Sequence, residues 1–326
     1  MTHPTTRTLL GASLLIATLF AASGCASSTS ATAPIASEAS GYPVTVSSCG
    51  VSHTYAAAPQ RVLLGAPGIV DTLDALGVAD SAMGYALSDL DEGEAAAHPA
   101  LTNNTSDWTP AKEYLLGAAP DLFIANDEQQ FTGDGAASLA DLETVGAGLY
   151  VLGDYCAGST AKPSIDAVYT DVDSLGVIYN VPDKAKTLND QLRSRVAAAA
   201  ALNHDGPVTA ASVSIVDGTV YALTGAGYEA VLDSLGISNA FAGAGANYTQ
   251  ISREDVITAD PDIIFVTYSG PDDEATAIAG ATSLFAGSKA VKDGKVFGQD
   301  ENAYQAGGIR IVDVVEQSAK DAFGSE

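Results

Sequence analysis

Basic side chains are scarce in this sequence of 326 residues, which has 14 lysines and arginines against 40 aspartates and glutamates. The formal net charge is −26. A surface of that sign repels phosphate backbones, so DNA and RNA are excluded as partners. The excess of carboxylates has two interpretations. The simpler one is the hydrated surface of a soluble protein, and the other is an attraction for cationic ligands.

Histidine is also rare. The four histidines, His3, His53, His98 and His204, are scattered along the chain. Binding proteins for bare zinc or manganese use clustered histidines and carboxylates instead. We therefore predict no metal site and no resident cofactor.

Motifs of secreted hydrolases are missing. The sequence contains neither Gly-x-Ser-x-Gly nor a His-Glu-x-x-His helix. Gly225-Ala226-Gly227 and Gly243-Ala244-Gly245 lack the full strand-glycine-helix fingerprint of a dinucleotide loop, so we interpret them as turns. We therefore predict that the protein is not an enzyme; a secreted hydrolase or a ligand sensor is the alternative.

An apolar run occupies residues 9–22, after Arg7. It is shorter than the roughly 20 residues of a membrane-spanning helix, so residues 1–24 are predicted to be a secretion signal. Ala22-Ser23-Gly24-Cys25 resembles a bacterial lipobox, which implies cleavage before Cys25 and acylation of its sulfur. The protein would then meet the membrane only through a lipid anchor, on the extracytoplasmic face. An ordinary signal peptide with a chance cysteine is the alternative.

Residues 25–41 consist mostly of Ser, Ala, Thr, Pro and Gly, which predicts a flexible tether. Beyond it, Cys49 and Cys156 form an even pair in an oxidising compartment, and each lies near the end of a strand-like segment. This favours a disulfide between them, worth roughly 4–5 kcal/mol on the loop-entropy model.

Short apolar strands alternate with helical segments on both sides of a long helical stretch. The alternation predicts parallel sheets with helices on both faces. Residues 183–202 predict a stiff helix of about 30 Å, and Asp217-Gly218 predicts a hairpin. We predict an α/β protein with an N-terminal lobe over residues 42–163, an inter-lobe helical segment over residues 164–203 and a C-terminal lobe over residues 204–326.

Each half contains the same short unit. A helix-like stretch begins at Glu113 in one half and at Glu254 in the other, and reaches Pro120-Asp121 or Pro261-Asp262 before an apolar strand. Because proline cannot continue a helix, each unit predicts a helix, a stop and a buried strand. The repetition predicts two equivalent lobes.

The order of the motifs resembles that of a known family. The motifs are the lipobox, Pro59-Gln60-Arg61-Val62, Pro120-Asp121-Leu122, Gly148-Leu149-Tyr150-Val151-Leu152, Ser252-Arg253-Glu254 and Pro261-Asp262-Ile263-Ile264. From Tyr42 onward they resemble the iron-siderophore, haem and cobalamin class of ABC-transporter substrate-binding proteins. The resemblance implies two Rossmann-like lobes joined by a rigid helix, a monomer, and a ligand in the cleft with slight closure on binding.

The resemblance also implies how the protein meets its transporter, a permease with a cytoplasmic ATPase. In this family a surface glutamate on each lobe docks to permease arginines, and the matching positions are Glu113 and Glu254. Two carboxylates held apart by a stiff helix would make a two-point contact. Two ordinary surface glutamates are the alternative.

Ligands of open α/β sheets bind beyond the carboxyl ends of the strands, which selects side chains on and near those loops. Trp108 resembles a family position that packs on the ligand, and tyrosine rings offer contact area and a hydroxyl at low entropic cost. The candidate ligand-binding residues are Trp108, Tyr85, Asn126, Phe131, Tyr221, Tyr248, Tyr268, Tyr304 and Arg310.

The charges on these loops indicate the class of ligand. Outside the long helix and the signal, the arginines are Arg61, Arg253 and Arg310, whereas anionic catecholate chelates are usually held by several basic groups. Carboxylates lie on candidate loops at Asp127, Glu128 and Asp154. We therefore favour a neutral or cationic ferric hydroxamate chelate. Cobalamin and haem are alternatives, and haem would need a tyrosine as axial ligand.

Overall fold

The structure, a computed structural model, describes residues 41–86, 96–103, 111–131, 136–153, 164–203, 206–244, 247–269, 273–305 and 307–324. These residues belong to one unit, Glu38–Glu326, that is compact by itself. The signal, most of the tether, Trp108, Asp154 and Cys156 lie outside the described residues, and the predictions made for them stay predictions.

A β-hairpin begins the described chain. Its antiparallel strands are β1 (Val44–Ser48) and β2 (Val51–Tyr55). Cys49 and Gly50 form the turn, with φ of +49° and +74°, and positive φ at both positions is typical of a type I′ turn. Ser48 donates a hydrogen bond to the Val151 carbonyl (3.2 Å) and accepts one from its N–H (2.8 Å). These two hydrogen bonds attach the hairpin to the first sheet.

The first sheet is parallel throughout its described strands, in the order β5-β4-β3-β6-β7. The strands are β3 (Val62–Leu64), β4 (Ala82–Tyr85), β5 (Thr102–Asn103), β6 (Leu122–Ala125) and β7 (Gly148–Val151). The helices are α1 (Ile69–Ala75), α2 (Lys112–Ala118) and α3 (Leu139–Val145). Leu64 and Leu63 of β3 pack into different hydrophobic clusters, so both faces of the sheet are covered, as predicted.

Two helices in close contact follow the first sheet: α4 (Asp166–Ile178) and α5 (Pro182–Ala200). Pro182 occupies the first turn of α5, where its missing N–H is no loss. At Gly176 a Cβ would lie only 2.4 Å from the Cβ of Ala185. The Arg193 guanidinium carbon lies 3.9 Å from the centroid of the Tyr169 ring. The long helix predicted from the sequence is confirmed.

The second sheet is mixed and has the order β11-β9-β8-β12-β13, with β10 also paired to β8. Its strands are β8 (Val208–Val216), β9 (Thr219–Leu223), β10 (Ile237–Asn239), β11 (Tyr248–Ile251), β12 (Ile263–Tyr268) and β13 (Val296–Asp300). Strand β9 runs antiparallel to β8 and β11. The Asp217-Gly218 turn between β8 and β9 has φ of +50° and +76°, which confirms the predicted hairpin.

Six helices accompany the second sheet in the described residues. They are α6 (Ala226–Ser234), α7 (Arg253–Ala259), α8 (Glu274–Leu284), α9 (Lys289–Lys292), α10 (Glu301–Gln305) and α11 (Ile311–Phe323). A 3₁₀ turn over Gly308–Arg310 precedes α11.

The repeated unit has the same backbone in both halves. Helices α2 and α7 each end in a residue with left-handed backbone, Ala119 at φ +43° and Asp260 at φ +46°. Pro120 and Pro261 follow and prevent either helix from continuing. Buried strands β6 and β12 come next. The predicted sequence of helix, stop and strand is therefore confirmed.

The aspartate after each proline fastens its unit to the neighbouring strand. Asp121 accepts hydrogen bonds from the N–H groups of Gln60 (2.7 Å) and Arg61 (3.0 Å), just before β3. Asp262 accepts from the N–H (2.8 Å) and hydroxyl (3.0 Å) of Thr209 in β8. The two halves therefore repeat a tertiary contact as well as a sequence pattern.

A single hydrophobic cluster spans both halves. It contains Leu64 of β3, Leu192 of α5, Phe265 of β12 and Val315 of α11. Helix α5 thus contributes to a core shared by the two sheets, which form no common sheet. This is the predicted α/β architecture, with two sheets and a long helix between them in the chain.

Helix α11 is tied to α5 by a charged contact. The Arg195 guanidinium donates to the two carboxylate oxygens of Glu316 at 2.9 and 2.8 Å and also contacts Asp313. This bidentate pairing restrains both helices in orientation. Within the part of the chain that the structure describes, no helix has the length and hydropathy to cross a bilayer.

The α4–α5 contact generates a prediction. Gly176→Ala should lower the free energy of unfolding by about 1–3 kcal/mol, because the added methyl group overlaps Ala185. The control is Gly280→Ala in α8, where a Cβ meets open space and should stabilise by roughly 0.5–1 kcal/mol. Urea unfolding followed by circular dichroism measures both variants. Equal effects would contradict the close approach of the helices.

Candidate functional site

The strands of the first sheet lead into loops along one edge. Residues 65–68 follow β3, residues 126–131 follow β6, and residues 152–153 follow β7. Backbone hydrogen bonds extend the pairing past the strands, from the Gly65 N–H to the Ile124 carbonyl (2.7 Å) and from the Leu152 N–H to the Ala125 carbonyl (2.9 Å). We call these three loops the first edge.

Gln130 holds two of these loops together. Its side chain is fully buried; its Oε1 accepts from the Asn126 N–H (2.8 Å) and its Nε2 donates to the Gly65 carbonyl (2.8 Å). The sequence gives no signal for this role, because a lone glutamine in a short turn belongs to no motif. The position of Asn126, a predicted ligand residue, depends on it.

A short segment of the second half reaches the first edge. Residues 307–310, here called the crossing segment, join α10 to α11. A Cβ on Gly307 would lie 2.7 Å from the Asn126 Oδ1, and one on Gly308 would lie 2.5 Å from the Thr72 Oγ1. Both glycines have positive φ, +71° and +63°. Close approach and backbone conformation together require glycine at both positions.

Arg310 anchors the crossing segment. Its Nε donates to the Asp71 carboxylate on α1, and the preceding N–H, of Ile309, donates to the Thr72 Oγ1 (3.2 Å). The arginine that we predicted at the ligand is therefore engaged by a carboxylate of the first half. Its contact with ligand stays a prediction.

A second edge lies at the carboxyl ends of β12 and β13. Ser269 follows β12 and Glu301 follows β13. The Tyr248 hydroxyl donates to Glu301 Oε1, and the Ser269 hydroxyl donates to Glu301 Oε2 (3.3 Å). We call Tyr228, Tyr248, Tyr304, Ser269 and Glu301 the tyrosine–carboxylate cluster.

The base of this cluster is a pair of stacked rings. Tyr228 and Tyr304 have centroids 4.2 Å apart and planes inclined by 25°, and both side chains are buried. Below them the Gln299 Nε2 donates to the Ser318 hydroxyl (2.9 Å). The stacked pair thus belongs to the buried part of the cluster.

The Tyr228 hydroxyl is buried. It lies close enough to the Tyr248 hydroxyl to share a hydrogen bond with it, and it also lies near the Glu301 carboxylate; both groups act on its ionisation. Tyr228, Tyr248 and Glu301 therefore form one connected set of polar groups.

All three rings of the cluster are held in the neutral form. Burial, and then the hydrogen bond to Glu301, raise the pKa of Tyr248 to about 12. Burial raises the pKa of Tyr228 further, with added repulsion from Tyr248 and Glu301, and burial also raises the pKa of Tyr304. At neutral pH the cluster thus presents hydroxyl groups and a carboxylate, and not phenolates.

The first edge carries carboxylates, as the second edge does. Asp127 lies there beside Glu128, and burial together with repulsion from Glu128 raises the pKa of the Asp127 carboxyl, against an opposing hydrogen bond from the Gln129 backbone. In the described ranges no group of three or more His, Cys, Asp and Glu side chains could hold a metal ion. Carboxylates therefore lie at both edges.

The structure separates the predicted ligand residues into two groups. Tyr85 (0% exposed) and Phe131 (6%) lie inside hydrophobic clusters. This burial runs against ligand contact, because a position near the end of a strand does not determine which way a side chain points. Tyr304 (8%) is a buried support. Tyr221, Tyr248 and Tyr268 are at least partly exposed on the second sheet.

The two predicted docking residues occupy matching positions. Glu113 and Glu254 are exposed in the first turns of α2 and α7. The basic residue before each glutamate has a different partner. Lys112 pairs with Asp141 on α3 (2.8 Å), whereas Arg253 pairs with Glu254 itself (2.7 Å).

Cys49, in the hairpin turn, is disulfide-bonded. Because Cys156 lies outside the described residues, the predicted pairing of these two cysteines stays a prediction.

The crossing segment generates a prediction. Gly308→Ala should lower the free energy of unfolding by about 2–4 kcal/mol, because the new methyl group meets Thr72 and the Gly68 carbonyl in addition to the backbone strain. Gly294→Ala is the matched control, with a similar φ of +70° but open space around its Cβ, and should lose only about 1 kcal/mol. Thermal unfolding distinguishes them, and equal losses would count against the contact.

Known proteins that are similar to this chain share its fold. The model of the family described as periplasmic binding protein matches residues 62–303. No curated protein sequence matches the chain. The chain is similar to the structure of an ABC-type Fe3+-hydroxamate transport system from Saccharomonospora viridis, with 26% identity, a TM-score of 0.68, and coverage of 87% of this chain and 100% of that one.

Two further solved structures share the fold. The petrobactin-binding protein YclQ from Bacillus subtilis is 18% identical with a TM-score of 0.71, over 87% of this chain and 100% of that one. The periplasmic haem-binding protein HutB of Vibrio cholerae is 17% identical with a TM-score of 0.64, over 80% and 98%. With two sheets, a shared core and a family model that covers most of its length, the chain belongs to the periplasmic binding protein family, whose members are extracytoplasmic, non-enzymatic substrate-binding components of transport systems.

Proposed function

We propose that this protein is the lipid-anchored substrate-binding component of an ABC importer, and that it captures a neutral or cationic ferric hydroxamate chelate and delivers it to the permease. The observation that carries the proposal is the charge at the two edges. Asp127 and Glu128 lie at the first edge and Glu301 at the second, while Arg310 is engaged by Asp71. A chelate with negative charge would meet repulsion here.

This charge distribution argues against catecholate chelates. Ferric complexes of that type are anionic and are usually held by several arginines or lysines. The similarity to the Fe3+-hydroxamate transport system of Saccharomonospora viridis supports the hydroxamate class. The petrobactin-binding and haem-binding proteins share the fold with this chain at lower identity, so the fold alone does not select the ligand.

The raised pKa values disfavour the three tyrosines of the cluster as axial ligands of haem. An axial tyrosine ligand binds iron as the phenolate, but burial and the neighbouring Glu301 raise the pKa of Tyr248 to about 12 and hold its hydroxyl neutral. Tyr228 and Tyr304 are buried, and their pKa values are raised as well. The cluster suits hydrogen bonds to a preformed chelate better than direct coordination of iron.

The anchor and the tether complete the proposal. Acylation at Cys25 would hold the protein at the outer face of the membrane, and residues 25–41 would give the folded part freedom to reach the permease. A disulfide between Cys49 and Cys156 would fit that oxidising compartment.

Docking is proposed through Glu113 and Glu254. Each lies in the first turn of a helix that runs back against the strand after it, so each lies towards the carboxyl edge of its sheet. Helix α2 has seven residues and spans about 10 Å, close to the length of the strand. The Asp121 and Asp262 anchors position both units alike. A permease would therefore meet both carboxylates on the side where the ligand binds.

Isothermal titration calorimetry of the mature protein tests the ligand class. A ferric trihydroxamate should bind with submicromolar affinity, and a ferric tricatecholate at least about tenfold more weakly, because its negative charge is unpaired. The metal-free hydroxamate, haem and cobalamin are the comparison ligands. Tighter binding of the catecholate, or a shift of the haem visible bands on mixing, would overturn the proposed ligand.

Charge reversal tests docking. The double variant Glu113→Arg/Glu254→Arg should lower uptake of the labelled chelate at least about tenfold in cells that carry it as their sole copy, because each docking pair becomes repulsive. Its affinity for the chelate should not change. The control, Glu143→Arg/Asp190→Arg, reverses two exposed carboxylates on α3 and α5 and should transport normally. Normal uptake by the first variant would refute docking at these glutamates.

A further inference from the structure

The basic residue before each proposed docking glutamate is used differently in the two halves. In the first half, Lys112 donates to Asp141 on α3 (2.8 Å), and the Asp141 carboxylate also belongs to the capping box of that helix. Lys112 is therefore drawn away from Glu113. Within the described residues the Glu113 side chain has no ion-pair partner, so it presents its full negative charge to solvent.

In the second half the corresponding cation stays at the glutamate. The Arg253 Nε donates to Glu254 Oε1 (2.7 Å), and this hydrogen bond lowers the pKa of the Glu254 carboxyl. The next residue, Asp255, accepts from the N–H and the hydroxyl of Ser252 (both 2.8 Å) in the capping box of α7. In the part of the chain that the structure describes, Arg253 therefore has Glu254 as its one carboxylate partner.

Arg253 keeps most of its hydrogen-bond donors for a partner outside the chain. A guanidinium carries five N–H donors, and among the described residues only the donor on Nε has an acceptor. The side chains of Arg253 and Glu254 are 57% and 66% exposed, so a partner can reach both. The two Nη atoms form a planar fork that can donate two parallel hydrogen bonds to one carboxylate.

Strand register places Arg253 and Glu254 at the second edge. Strand β11 ends at Ile251, just before them. Ile251 lies opposite Val220 of β9, and Val220 lies opposite Ile215, near the end of β8. Strand β11 therefore runs parallel to β8 and β12 and ends at the same edge of the sheet as they do. The ion pair thus lies on the side of the sheet where ligands of α/β proteins bind.

The two contacts require different charges on the partner. At Glu113 a permease arginine would meet one negative charge. At Glu254 it would also meet Arg253, and two cations beside one carboxylate repel each other. An acidic side chain of the permease next to its arginine would remove that repulsion and accept from the Nη atoms of Arg253. The second contact therefore fits an arginine–carboxylate pair, whereas the first fits an arginine alone.

We propose that Arg253 is a specificity-determining residue of the docking surface, and that it binds a carboxylate of the permease beside the arginine that meets Glu254. This inference rests on the proposed function, because it deepens the docking assigned there to Glu113 and Glu254. It makes the two halves unequal as docking partners, so the permease would hold the protein in one orientation although both halves carry the same repeated unit.

Uptake of a labelled ferric trihydroxamate tests the role of Arg253, in cells that carry each variant as their sole copy at equal protein levels. Arg253→Gln should lower uptake about three- to tenfold through the loss of charge-assisted hydrogen bonds. Arg253→Glu should lower it further, because two acids would then face each other. Affinity for the chelate, measured by calorimetry, should not change. Both variants should fold, since an exposed ion pair contributes little to stability.

A charge-matched control excludes an effect of net charge alone. Lys292→Gln removes one exposed cation from α9, before β13 and thus at the opposite edge of the same sheet. This variant should transport normally. A loss of uptake equal to that of Arg253→Gln would trace the effect to net charge and overturn the inference.

A double-mutant cycle separates direct binding by Arg253 from an effect transmitted through Glu254. Glu254→Gln keeps an acceptor for the Arg253 Nε but removes the charge that attracts the permease arginine. If Arg253 binds the permease directly, Arg253→Gln should lower uptake by a similar factor in the Glu254→Gln background. Disappearance of that factor would mean that Arg253 only positions Glu254, and the inference would be overturned.

The remaining outcomes distinguish the inference from the proposed function. Normal uptake by Arg253→Gln, or faster uptake because Glu254 is released for the permease arginine, would overturn the role of Arg253 and leave docking through the two glutamates standing. Normal uptake by Glu113→Arg/Glu254→Arg, or no uptake of the trihydroxamate by the wild type, would overturn the proposed function and this inference with it.

Discussion

The arrangement of this protein depends on the packing of one helix, α5, between α4 and α11. Gly176 removes the side chain that would hold α4 away from α5, and Arg195 ties α11 to the opposite side through Glu316. Leu192 of α5 belongs to a hydrophobic cluster that also contains residues of both sheets. Because the interior of a protein is close-packed and resists deformation, this shared core limits how far the two edges can move relative to each other. Under the proposed function, a binding site between the edges would therefore be formed before a ligand arrives.

Backbone conformation then lets the second half approach the first edge. Gly307 and Gly308 have the positive φ and the absence of Cβ that allow the crossing segment to approach Asn126 and Thr72. Gln130 fixes the loop on the other side of that contact. None of these residues carries a charge or reactive group, yet together they determine where the polar groups of the site lie. The two positions that require glycine, Gly307 and Gly308, thus lie where the two halves meet.

The proposed class of ligand follows from the small number of basic side chains. In a chain with so few cations, Arg310 and Arg195 are both used to join parts of the fold. The carboxylates Asp127 and Glu301 stay at the edges of the sheets, where the solvent-accessible polar groups of an α/β protein meet ligands. In the proposed function these carboxylates would favour cations by attraction and reject anions by repulsion, and the second effect is as important for specificity as the first.

Local rules were sufficient for much of the fold. Asp217-Gly218 predicts its turn because few residue pairs tolerate two positive φ angles, and Pro182, Pro120 and Pro261 predict where helices begin or stop, because proline lacks an N–H. The repeat of the Pro-Asp units likewise indicated two similar halves before any contact was known.

The candidate site could not be predicted from local rules, because its contacts join residues that are far apart in the sequence. Tyr248 was predicted in a loop, but it lies in β11 and meets Glu301 across 53 positions of the chain. Tyr85 was predicted at the ligand, but its strand turns it into the core. The sequence by itself determined the class of fold and the sign of its charge, since both follow from local patterns and composition. Only the tertiary structure decided which tyrosines are buried, which carboxylate they orient and which arginine is already engaged, since each depends on packing between distant segments.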